Sequence, residues 1–128
     1  MSSASEEGLQ MRRAVLGAEY VERAYATSTE FSRDLQPYLV DHCWGNVWVR
    51  PGLAPRLRSI VTLSVLATNG HWHEFQSHVR GALQNGLTAE ELREIFLQVG
   101  VYAGAPVAVA AFRAAEDTVR EWESETPD

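Results

Sequence analysis

Two Asn-Gly pairs, Asn69-Gly70 and Asn85-Gly86, constrain this chain more than any other feature. Glycine takes the left-handed conformation that ends a helix without steric cost, so each pair marks a helix stop. The first closes a helix opened by Pro55, with Ile60, Val61, Leu63, Leu66 and Ala67 at helical intervals. The second closes a helix over His71–Gln84, whose apolar face is Trp72, Phe75, Val79 and Leu83. Thr88-Ala89-Glu90-Glu91 then reads as a capping box. It starts a helix through Ile95, Phe96, Val99, Val101 and Tyr102, and Gly104 and Pro106 introduce a last helix to about Trp122.

The N-terminal part carries the same period with weaker punctuation. Apolar residues from Leu9 to Ala24 predict one helix over Glu7–Ala26, irregular at Gly17. Ser28 or Thr29 caps a second helix to about His42, and Pro37 demands a kink or a late start. Turn residues predict mostly irregular chain over Trp44–Leu53. Nothing alternates with period two for long enough to make a strand. The expectation is an all-α fold of about six helices in a single domain over 1–128, with loose polar ends at about 1–6 and 123–128.

A net charge of −6 argues against nucleic acid as a partner, because phosphate binding needs a basic face. No apolar run reaches membrane-spanning length and no leader is visible, so a soluble cytoplasmic protein is expected. Cys43 is the only cysteine, which removes internal disulfides and dithiol chemistry; it reads as a small buried hydrophobe. Seven alanines between Ala103 and Ala115 suit close helix packing, within one subunit or between subunits.

The residues with chemistry concentrate on the helix after Gly70. His71, Glu74 and His78 stand at i, i+3 and i+7, on one narrow stripe. Two imidazoles and a carboxylate there hold, donate or relay a proton near neutral pH. The plainer alternative for Glu74 and His78 is a surface pair contributing about 0.3–0.5 kcal/mol. The same stripe, with His42 or His73, also has enough ligands for zinc or iron, at a spacing that matches no established metal motif.

Five segments carry a resemblance. They are Trp44-Gly-Asn-Val-Trp48-Val-Arg50-Pro-Gly-Leu53, Arg58-Ser59, His78-Val-Arg80-Gly-Ala82, Asn85-Gly-Leu-Thr88 and Tyr102-Ala-Gly104-Ala-Pro106. In this order and spacing the chain resembles the gamma-carboxymuconolactone decarboxylase (4-carboxymuconolactone decarboxylase) family, within the alkylhydroperoxidase-like superfamily, from about Gly8 to Val119. The resemblance implies an alkylhydroperoxidase-like helical domain in a ring-forming homo-oligomer, most simply a hexamer. It also implies conversion of 4-carboxymuconolactone to 3-oxoadipate enol-lactone in aromatic catabolism, with no metal or cofactor. The peroxidases of the superfamily carry Cys-x-x-Cys and a later His, and these positions correspond here to His71, Glu74 and His78. This chain departs from the decarboxylase pattern at His42 (usually Tyr), His71 (often Arg), Ala103 (commonly Cys) and Val109 (commonly Asn). The departures leave open another small-molecule substrate, or a non-catalytic binder of the same fold.

Decarboxylation of that lactone requires a clamped dianion, a stabilised oxyanion and one proton. His78 is the expected donor, and Glu74 would orient its ring. Arg50 and Arg58 are expected to bind carboxylate in a planar fork, although a solvated helix face would also account for Arg58. Trp44 and Trp48 supply indole N–H groups and dry walls, or simply core. His42 assists the oxyanion or caps its helix; His71 takes part or is solvated; His73 faces away.

Overall fold

The computed structural model describes residues 3–125. The loose ends expected at 1–2 and 126–128 lie outside the described residues. All regular structure among the described residues is helical, as the 3.6-residue period predicts. Among the described residues there are seven α-helices and one π-helix, where about six helices were expected. The chain forms two compact units, divided after Pro55.

In the first unit, α1 (Ser3–Leu16) and α2 (Ala18–Ala26) replace the single helix expected there. Gly17 separates them with φ +94°, a conformation that takes it out of the helix. Helix already covers residues 3–6, so the polar start is not loose where it is described. Ser28 and Thr29 do not start the next helix. The Thr29 N–H donates to Ser32 Oγ at 2.9 Å in a turn, and α3 (Leu35–Leu39) begins late, with Pro37 in its first turn.

The main correction follows α3. Val40–Trp48 is a π-helix, where irregular chain was expected from Trp44 onward. The Val49 N–H donates to the Trp44 carbonyl at 3.2 Å, the i to i+5 bond of this helix. Packing explains why turn-forming residues gave way. A Cβ on Gly8 would lie 2.6 Å from the Val40 carbonyl oxygen and from Gly45 N, so α1 lies backbone to backbone on this segment. One turn and two turns further along α1, Met11 and Val15 meet the stacked indoles of Trp44 and Trp48, whose ring centroids are 4.9 Å apart. Leu16 and Cys43 complete this small core.

In the second unit the local signals hold. α4 (Pro55–Thr68) stops at Gly70, where φ is +73°. The Gly70 N–H bonds the Ala67 carbonyl and the His71 N–H bonds the Leu66 carbonyl, the paired closure of a Schellman end. α5 (Trp72–Gln84) ends in the same way, with Gly86 bonding Leu83 and Leu87 bonding Ala82. Both bonds of the Thr88–Glu91 capping box are present at the head of α6 (Ala89–Ala103). α7 (Ala105–Glu125) runs past Trp122, so helix also covers 123–125.

The core of this unit is Leu63, Phe75, Val79, Leu92 and Phe96 with Ala111 and Ala115 of α7. Phe75, Phe96 and Phe112 form a chain of rings at 5.4 and 5.6 Å. A Cβ on Gly100 would meet Ala108 Cβ at 2.7 Å, so α6 and α7 touch where both residues are small. At Ala108, Ala111 and Ala115, the small residues therefore serve packing within the unit.

Candidate active site

The residues expected to carry chemistry fall into two sets, one in each unit. In the second unit, α5 presents Phe75, Val79 and Leu83 to the core, which turns the stripe of His71, Glu74 and His78 off the buried face. The Schellman end fixes His71 as the residue that precedes α5, and its carbonyl accepts the Phe75 N–H at 2.9 Å. His71 and Glu74 are exposed, as is His73. His78 is half-buried, and its Nδ1 is enclosed. Glu74 has no side-chain hydrogen bond or ion pair among the described residues, so neither an orienting contact to His78 nor a surface pair is formed. Among the described residues no three His, Cys, Asp or Glu side chains converge in a way that could hold a metal.

Arg58 is half-buried on α4 with Nε enclosed. The next residue, Ser59, is fully buried and accepts a 2.9 Å hydrogen bond from Asn85 Nδ2 at the end of α5. This bond ties the helix of Arg58 to the helix of His78. Arg56 and Glu91 make an ion pair that joins α4 to the head of α6. Neither link was anticipated; each joins residues far apart in the chain, where local spacing carries no signal.

In the first unit, the π-helix gathers His42, Trp44 and Trp48, and Arg50 follows it. Trp44 and Trp48 are buried in the core beside Val15. His42 is exposed and stacks on Tyr38, with centroids 5.1 Å apart and planes 15° from parallel. Both rings border a shallow hollow with Asp41, Gly45 and Asn46. Arg50 is exposed, its N–H held by the Val47 carbonyl at 3.0 Å. Sequence reasoning missed Arg12, which is buried on α1 and donates from Nη1 to Gln36 Oε1 at 2.8 Å. Its available signal was position: Gly8, Arg12 and Val15 share one face of α1.

The profile of the Carboxymuconolactone decarboxylase family matches residues 33–117, a stretch that includes every candidate residue above except Arg12. The chain is 40% identical over 116 residues to a nitrosuccinic acid decarboxylase of Metarhizium robertsii, covering 91% of this chain and 81% of the relative. It is 38% identical over 116 residues to a 4-carboxymuconolactone decarboxylase of Acinetobacter baylyi, covering 91% of this chain and 87% of the relative. The chain belongs to the carboxymuconolactone decarboxylase family of carboxy-lyases.

Proposed function

We propose that this protein decarboxylates a 2-substituted succinate whose substituent is an electron sink. The observation that carries the proposal is the near-equal similarity, over the same length, to two decarboxylases named for different substrates. The two molecules share one frame. Nitrosuccinic acid and 4-carboxymuconolactone each hold a carboxylate and a carboxymethyl group on one carbon, and that carbon is joined to an acceptor of electrons. The acceptor is a nitro group in the first and the unsaturated lactone carbonyl in the second.

The reaction is the same in both. The bond to the carboxylate on the substituted carbon breaks and CO2 leaves. The electron pair passes to a nitro oxygen, or through the ring double bond to the carbonyl oxygen. A proton then returns to carbon, at the nitro-bearing position or at the alpha carbon of the lactone. Because the sink belongs to the substrate, the steps need no added electron acceptor. His78 supplies the proton. Arg50 and Arg58 bind carboxylate, and Trp44 and Trp48 keep water from the departing group. Glu74, His42 and His71 adjust this set according to the substrate.

We take 4-carboxymuconolactone, giving 3-oxoadipate enol-lactone in cytoplasmic aromatic catabolism, as the first substrate. Nitrosuccinate is the second, on the 40% identity to the decarboxylase named for it; the replacements at His42, His71, Ala103 and Val109 leave room for a substrate other than the lactone. The test is release of CO2 from each compound by purified protein, before and after prolonged chelation. Turnover of one of them, unchanged by chelator, is expected. Loss that zinc or iron restores would instead support a metal enzyme.

A further inference from the structure

Among the described residues, Arg12 is a buried cation without a counter-ion. It is 4% exposed, and its Nε is enclosed without a hydrogen-bond partner. Its single side-chain bond among the described residues is the one from Nη1 to the neutral Gln36 amide. No ion pair reaches it among the described residues. A guanidinium has five N–H donors in a fixed fork, and removing it from water is costly unless an anion compensates. Other arginines of the chain show the usual solution: Arg23, Arg33, Arg80 and Arg120 all pair with carboxylates at the surface.

Its place adds meaning to this deficit. Arg12 lies between Gly8, which touches Val40 and Gly45, and Val15, which packs on Trp44 and Trp48. It is therefore on the face of α1 turned to the π-helix. Long π-helical runs are rare, and π-type turns recur at functional sites.

We propose that Arg12, held in place by Gln36, is the subsite for the carboxylate that stays on the substrate. The ligand class is a succinate-type dianion, which rests on the function proposed above. Both named substrates keep a carboxymethyl carboxylate through the reaction, and an arginine fork matches it in shape and charge. Arg12 is a binding residue in this scheme and takes no part in proton transfer.

Succinate, which lacks the electron sink and cannot react, is the probe. Thermal melting of the full chain is followed with increasing succinate at constant ionic strength, for the parent, R12K and R12M. The parent should be stabilised saturably. R12M should lose that response, and R12K should keep part of it. In succinate-free buffer R12M should melt at or above the parent, because replacing an uncompensated buried charge with an apolar side chain removes a cost. In any turnover assay that succeeds, R12M should raise KM roughly ten- to a hundredfold, the range of a charged hydrogen bond, with kcat nearly unchanged. A parent indifferent to succinate, an R12M variant that responds fully, or one that melts well below the parent without succinate would each overturn the proposal. Failure of both substrates with Arg12-dependent succinate binding intact would support the subsite and reject only the chosen reactions.

Discussion

His78 and Arg50 divide the proposed work at the residue scale, and the division is measurable. H78A should lower kcat by roughly 10²–10⁴-fold, as expected for loss of a general acid, with a small change in KM. R50A should do the reverse, because a carboxylate clamp acts in the ground state as well. Steady-state kinetics of the two variants, with circular dichroism as the folding control, separates these outcomes. Full turnover by folded H78A would move the acid to His42 or His71. The placement of His78 off the buried face was legible because its spacing from His71 and Glu74 sets it on a stripe apart from Trp72, Phe75 and Val79. Arg12 was legible only as a position on the face of α1 that Gly8 and Val15 share. Arg12-Arg13 in a polar helix reads as solvated charge, and only the packing of α1 on a distant segment buries the first of the pair.

At the scale of elements, local chemistry succeeded wherever its signals were complete. Thr88 and Glu91 close the capping box, so T88A should cost about 1 kcal/mol of stability in urea unfolding. The glycines after α4 and α5 take the left-handed conformations their Asn-Gly pairs announced. The π-helix was missed because its cause is the helix lying against it. Gly8 allows backbone contact with Val40 and Gly45, and no side chain fits between them. G8A should therefore destabilise the protein by about 1–3 kcal/mol, the usual range for overpacking, although alanine favours helix more than glycine does. Unfolding of the parent and G8A by denaturant checks this, and equal or greater stability of G8A would mean that the close contact is not needed.

For the whole molecule, the second unit centres on Phe75, which is fully buried and joined edge-on to Trp72 and in a ring chain to Phe96. F75A should cost about 3–5 kcal/mol, measured by thermal or chemical unfolding. Apolar surface remains on α6, where Val101 is 75% and Tyr102 83% exposed. Together with the ring-forming assembly that the resemblance implies, this leads us to expect a homo-oligomer, with a hexamer as the first candidate. Light scattering at micromolar concentration checks the expectation, and a stable monomer would end it. By itself, the sequence determined the helical class, the family resemblance, the limits of α4, α5 and α6 and the histidine stripe. These depend on period, caps and turns, which act over a few neighbouring residues. Tertiary structure alone decided the π-helix, the bond from Asn85 to Ser59 and the burial of Arg12. Each depends on which surfaces meet, and for residues far apart in the chain that is set by packing and desolvation over the folded unit.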